Sequence, residues 1–248
     1  MSSAGHLAPD PKALGCLLAA AERGPGEAAP QVVLDLDGTL VDNRPRFLAI
    51  LRSLEPAWRE RFAELAPRLA ELRAERVEYR VEDTLAHVGI TEPAAVTEAV
   101  LHWEASFFTE RFLMEDRGRP GAVEPARALL RAGARVVYLT GRDVPNMGRG
   151  TFASLHALGF PLAEPGVELL MKPSPALGDV AFKKGALAQL GHLGPIAGFM
   201  DNDPAQCHAF LEQFPDKLCL LFDSTRPPHG PPLTPAVRVI RTLTPLVP

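Results

Sequence analysis

Five short runs of continuous apolar residues limit what this chain can fold into. They are Gln31–Leu36, Arg135–Leu139, Val167–Met171, Ile196–Met200 and Leu218–Phe222. Strands with one wet face alternate apolar and polar side chains. Unbroken runs of four to six residues suit strands covered on both faces, as in a parallel sheet. Segments of helical length and spacing, such as Val123–Ala132 and Val180–Leu190, lie between the runs. The pattern predicts a doubly wound α/β domain with a Rossmann-like parallel sheet.

One interval breaks the rhythm. About a hundred residues separate the first two runs, where a single crossover needs roughly a dozen or more. Their apolar spacing is helical. Phe47, Ile50, Leu51, Leu54, Trp58, Phe62, Leu65, Leu69 and Leu72 advance by threes and fours, with Pro56 and Pro67 as breaks. Val96, Val100, Trp103 and Phe107 form a second stripe. Turn chemistry marks both edges, at Asp42-Asn43-Arg44-Pro45 and Arg117-Gly118-Arg119-Pro120-Gly121. The expected division is an N-terminal helical extension over 1–29, a core domain of 30–43 and 120–248, and a helical insert over 44–119. The extension carries a short helix over Ala13–Ala20, ended by Arg23-Gly24-Pro25-Gly26. The Pro-rich tail from Arg226 is expected to wrap the surface.

Bulk properties exclude some functions. A net charge of −4 argues against nucleic acid as a partner, which needs a basic face. No apolar run reaches the length of a membrane span. Ala13-Leu14-Gly15-Cys16 faintly matches a lipoprotein cleavage site, but Pro9-Asp10-Pro11-Lys12 before it is no hydrophobic leader. Cys16, Cys207 and Cys219 are too few and too scattered for a disulfide framework or a metal site. A reducing compartment, the cytoplasm, is the expected setting.

The chemistry begins at Asp35-Leu36-Asp37-Gly38-Thr39-Leu40, at the end of the first run. Ligands of a doubly wound sheet bind beyond the carboxyl ends of its strands. Carboxylates at i and i+2 of an extended segment point to one side, and Gly38 lets the backbone turn sharply. Two crowded acids ask for a cation, and hard oxygen ligands ask for Mg²⁺. Three later features reach the same sheet edge. Thr140-Gly141-Arg142 offers a hydroxyl and a backbone N–H. Lys183 opens the helix before the fourth run. Asp201-Asn202-Asp203 ends that run. Acid pair, hydroxyl, lysine and acid together make a site for a metal-bound anion.

In these motifs, over about 31–43 and 120–223, the chain resembles the phosphatase branch of the haloacid dehalogenase-like (HAD) superfamily. The helical insert stands where that superfamily places a C1-type cap. The resemblance implies that the first strand lies between the second and the fourth. It implies that Asp35 is a nucleophile that forms an acyl phosphate, and that Asp37 is the general acid and later the base. Thr140 would hydrogen-bond a phosphoryl oxygen beside Gly141, and Lys183 would stabilise the charge of Asp35 and phosphate. Asp35, Asp201 and the backbone carbonyl of Asp37 would hold Mg²⁺. The implied activity is hydrolysis of a small phosphomonoester. A phosphomutase shares the same residues, and a dehalogenase would not need Asp37. A non-catalytic phosphate-binding protein of the same fold is the reading from another class.

Several residues stay open at this point. Many relatives carry a second acid four positions after the one here at Asp201. That position is Ala205, which leaves Asn202, Asp203 or water. Lys172 and Lys184 compete with Lys183. Arg142 is expected to pair with an acid rather than touch substrate. His87, His102, His192, His208 and His229 show no ligand spacing. Trp103, Phe107, Phe108 and Phe112 are expected in the core, with a pocket wall as the alternative.

Overall fold

The computed structural model describes residues 8–227 and 230–244, so His229 lies outside the described residues. Helix α1 spans Ala13–Ala20, strand β1 Gln31–Leu34 and strand β2 Val41–Asp42. The insert follows as α2 (Arg44–Arg52), α3 (Glu55–Arg61), α4 (Val81–Ala86) and α5 (Pro93–Phe107), with 3₁₀ turns between and after them. It ends at β3 (Arg117–Gly118). Then come α6 (Val123–Arg131), β4 (Arg135–Asp143), α7 (Val144–Ala157), β5 (Val167–Lys172), α8 (Asp179–Leu193), β6 (Ile196–Asp201), α9 (Pro204–Gln213), β7 (Leu218–Phe222) and β8 (Val237–Ile240).

Six strands form one parallel sheet in the order β5-β4-β1-β6-β7-β8. The first strand lies between the second and fourth apolar runs, as the resemblance implied. Leu34 pairs with Tyr138 on one side and with Met200 on the other. The period-two geometry of β1 sends Val32 and Leu34 to one face, among α1, α6 and α7, and Val33 to the other, among α8 and α9. Both faces are covered, which explains the absence of alternation. Gly198 admits α1 against the sheet, since a Cβ there would stand 2.5 Å from Leu17 Cδ1.

The tail corrects one expectation. It does not merely wrap the surface, because Val237–Ile240 adds a sixth strand beside β7. Asp10 N–H then donates to Val239 O at 2.7 Å, giving a partner to a carbonyl on that edge strand.

The insert has its own apolar cluster, including Phe47, Leu51, Trp58, Leu69, Leu85 and Ala99. Pro56 and Pro67 begin elements rather than interrupt them, the first in α3 and the second in a 3₁₀ turn. Strands β2 and β3 pair antiparallel, Val41 with Gly118 and Asp42 with Arg117. The chain therefore leaves and re-enters the core at adjacent points, next to the β1 loop.

Candidate active site

The loop after β1 is a tight backbone knot. Leu36 O accepts from the N–H groups of Thr39, Leu40 and Val41, and Gly38 N–H donates to Val41 O. Gly38 has φ of +86°, and a Cβ there would meet Asn202 Nδ2 at 2.3 Å. Only glycine satisfies both the left-handed backbone and the close approach. Asp35 N–H donates to Met200 O at 2.9 Å, so β6 fixes where the first acid stands.

Asp35 is 4% exposed. Lys183 Nζ donates to its Oδ1 at 2.6 Å, and Thr39 Oγ1 to its Oδ2 at 2.7 Å. The same ammonium donates to Asp201 Oδ2 at 2.7 Å. One cation thus serves two buried carboxylates. Burial, and then repulsion from Asp201, push the Asp35 carboxyl up to about 7 against the pull of Lys183. Burial likewise raises Asp201. Burial disfavours the Lys183 ammonium, but Asp201 and Asp35 outweigh it and hold the lysine charged.

Asp37 faces the other way. Arg142 Nε and Nη2 donate to its two oxygens at 2.7 and 2.8 Å, and Arg46 Nη2 donates at 2.8 Å. Arg142 also donates to Asp116 Oδ2 at 2.7 Å, and Arg46 Nε stands 3.1 Å from Asp116 Oδ1. Two arginines and two aspartates close an ionic ring, with Arg46, Arg142 and Asp116 buried. Burial would raise the Asp37 carboxyl, but Arg142 and Arg46 outweigh it and hold it well below the usual carboxylate range. The Arg46 guanidinium also stacks 4.1 Å above the Phe107 ring.

The structure sorts the other sequence candidates. Lys172 pairs with Asp179 at 2.7 Å, and Lys184 with Glu212 at 2.8 Å. Of the three lysines, Lys183 alone touches Asp35. Asp203 caps α9 through Ala205 N–H, while Asn202 lies over Gly38. The Thr140 hydroxyl is buried and accepts the Arg142 N–H at 3.2 Å. Gly141, not Thr140, lines the cavity. Arg142 pairs with acids, as expected. The aromatics depart from expectation: Trp103, Phe107 and Phe108 line the cavity, whereas Phe112 does not.

That cavity has a volume of about 530 Å³. It opens between the carboxyl ends of the strands and the insert, with Asp35, Asp37, Lys183 and Asp201 on its wall. Sequence reasoning missed Arg46, Asp116 and Arg119. For Arg46 a signal existed, because it falls on the apolar stripe of α2 with Ile50, where a charge needs a partner. Asp116 had none.

Hard-oxygen donors for a divalent cation are present in Asp35 and Asp201. Among the described residues no three His, Cys, Asp or Glu side chains converge as a cage, since the Asp37 carboxylate is taken by arginines. The Asp37 main-chain carbonyl, in the same loop, and the Asn202 amide oxygen on the cavity wall are the further oxygen donors at hand. The excess of acid over base around Lys183 fits a divalent ion.

No protein-family profile matches the chain, and no curated protein does. Solved structures do. A HAD-superfamily hydrolase of subfamily IA, variant 1, from Geobacter sulfurreducens aligns at 18% identity and a TM-score of 0.52, over 88% of this chain and 94% of that one. The protein tyrosine kinase A of Mycobacterium tuberculosis aligns at 19% identity and 0.53, over 88% and 96%. At such identities the likeness establishes the fold, and function must be argued from the site.

Proposed function

We propose that this chain, which has the haloacid dehalogenase-like fold, is a Mg²⁺-dependent hydrolase of a small phosphomonoester with Asp35 as nucleophile. One observation carries the reading. At the carboxyl end of a central strand, a buried carboxylate borders a cavity of about 530 Å³, held by an ammonium on one oxygen and a hydroxyl on the other.

Asp35 attacks phosphorus and forms an acyl phosphate, and the ester oxygen departs. Lys183, between Asp35 and Asp201, neutralises the charge that gathers where carboxylate and phosphate meet. Asp35, Asp201 and the Asp37 carbonyl would hold Mg²⁺, which would supply the remaining positive charge. The Asp37 carboxylate, kept ionised by Arg46 and Arg142, suits the base that activates water in the second step. To act as the acid of the first step it must exchange those partners. Gly141, on the cavity wall, would offer its N–H to a phosphoryl oxygen, and Thr140 would add its O–H, which accepting the Arg142 N–H leaves free. The segment 44–119, the C1-type cap of this reading, covers the cavity and excludes bulk water from the acyl phosphate. No helix among the described residues is long and apolar enough to cross a membrane. The three free thiols support a cytoplasmic setting.

Phosphate release from a panel of phosphorylated metabolites tests the reading, with Mg²⁺, with EDTA, and after Mg²⁺ is restored. Activity lost in EDTA and regained is expected. Full activity in EDTA refutes the metal. Interconversion of phosphate positions without release makes the protein a mutase. Binding without turnover of any ester makes it a binding protein.

A further inference from the structure

Six cationic side chains line the cavity: Arg44, Arg46, Arg80, Arg119, Arg142 and Lys183. Five are neutralised by carboxylates. Arg46 and Arg142 share Asp37 and Asp116, and Lys183 shares Asp35 and Asp201. Arg80 pairs with Glu82, and Arg44 with Asp42 at 2.6 Å. Arg119 differs. Among the described residues, no carboxylate lies within 4.0 Å of its guanidinium.

Arg119 is nonetheless fixed. Its backbone N–H donates to Leu40 O at 3.0 Å, and its Nε donates to Gly38 O at 3.0 Å. Its guanidinium lies 4.8 Å above the Phe222 ring. A purely structural clamp on the Gly38 turn needs only the Nε bond. The two Nη nitrogens make no hydrogen bond to any described residue, and they are the part of the fork suited to bidentate contact with a carboxylate or phosphate. Arg44 stands on the same side, with Asp42 drawing on both arginines; Asp42 itself does not line the cavity. Arg44 is held by Asp42 through both Nε and Nη2 and also feels Glu75, so the uncompensated positive charge at this corner is that of Arg119. The Asp35–Lys183–Asp201 end holds the opposite imbalance, and the ring between them is neutral.

We propose that Arg119 is a second anion subsite beside the Gly38 turn, so that the substrate is an organic phosphate bearing a further anionic group, a carboxylate or a second phosphate. The proposal rests on the phosphohydrolase reading, which places the transferred phosphate at Asp35. It adds a specificity that neither the fold nor the acid motif contains. Phosphomonoesters of neutral alcohols leave the Arg119 fork unfilled, and anionic ones fill it.

Nonhydrolysable phosphonates of matched length test this by calorimetric titration of the full chain in Mg²⁺. Propylphosphonate carries one anionic group, 3-phosphonopropionate adds a carboxylate, and propane-1,3-diphosphonate adds a phosphonate. At least one bifunctional probe should bind about tenfold or more tighter than propylphosphonate, the return on one charge-assisted contact. Which one wins identifies the second group. In Arg119→Gln that ratio should collapse toward one, and in Arg119→Lys it should be intermediate, since charge remains but the fork is lost. A purely structural arginine would change stability without changing the ratio. Equal binding of all three probes to the natural chain overturns the proposal while leaving the phosphohydrolase reading intact. So does a ratio that survives in Arg119→Gln. If no phosphonate binds at all, both readings fall.

Discussion

Asp35 and Asp37 stand two residues apart on one loop, yet they occupy opposite fields. Asp35 shares one lysine with a second acid, and its carboxyl is pushed up to about 7, first by burial. Asp37, only partly buried, shares two arginines with a second acid, and its carboxyl is held far down. Neighbouring position in sequence gives the two acids a common backbone turn and nothing more. The number of cations per carboxylate sets their chemistry. The origin of those cations differs too. Lys183 and Asp201 belong to the α8–β6 segment of the sheet domain. Arg46 and Asp116 come from the two ends of the helical insert. The state of Asp35 is thus fixed by the sheet domain alone, and that of Asp37 jointly by Arg142 of β4 and by how the insert brings Arg46 onto it.

The sharpest way to break this contrast is to neutralise each acid in turn. Asp35→Asn should abolish phosphate release and form no phosphoenzyme. Asp37→Asn should lose roughly 10²–10⁴-fold, the usual worth of a general acid–base group. With a nitrophenyl ester, whose leaving group needs no proton, Asp37→Asn should accumulate a protein carrying one added phosphoryl mass after rapid quench. Phosphoenzyme in Asp35→Asn would invert the two roles.

Opening the ring comes next. Asp116→Asn leaves Arg46 and Arg142 buried with one carboxylate between them, and should cost about 3–5 kcal/mol in a denaturant titration. Arg46→Met alone should cost a similar amount. The pair together should cost less than the sum, because each change removes the charge stranded by the other. Strict additivity would mean that the ring is not a unit.

A smaller effect separates the acids by pH. The folded chain holds the Asp35 proton to about pH 7, against an ordinary value of 3.8. Between those values the folded state binds more protons than the unfolded state. Stability conferred by this group is therefore present at low pH and lost as pH rises toward 7. In EDTA, the difference between the natural chain and Asp35→Asn should shift against the natural chain by on the order of 1 kcal/mol per pH unit across this window. Mg²⁺ should flatten the slope. Asp37 has the opposite shift and should give no loss there.

The smallest expectation is a control. Lys184 neighbours Lys183 but pairs with Glu212 on the surface. Lys184→Ala should leave phosphate release and melting temperature unchanged, whereas Lys183→Met should abolish release.

The sheet was legible because doubly covered strands need no polar face, and runs such as Leu218–Phe222 stand out as uniformly apolar. Val237–Ile240 was not, because Arg238 interrupts it and prolines precede it, which reads as surface tail. Asp35, Lys183 and Asp201 could be brought together on paper because each falls at a strand end or a helix start, and topology carries those to one edge. The ring could not. Arg46 and Asp116 belong to opposite ends of the insert and meet where α2 packs against the 3₁₀ turn that precedes β3. Thr140 does not line the cavity, although its neighbour Gly141 does, and its buried hydroxyl accepts the Arg142 N–H. The aromatic stripe of α5 gave the right helix but could not say which face it turns to water.

The two-residue pairing of β2 with β3 has a consequence for what this architecture tolerates. With Val41 opposite Gly118 and Asp42 opposite Arg117, everything from 43 to 116 passes through a doorway one strand spacing wide. Closing a loop across such a gap costs free energy only as the logarithm of its length, about 0.6 kcal/mol per doubling. As far as chain closure goes, the segment is a cartridge, exchangeable for a longer one, a shorter one or a two-residue hairpin turn. Whatever is exchanged there takes Arg46 and Asp116 with it and leaves Asp35, Lys183 and Asp201 seated on their own strands, so one half of the acid chemistry can be rewritten while the other half is inherited unchanged.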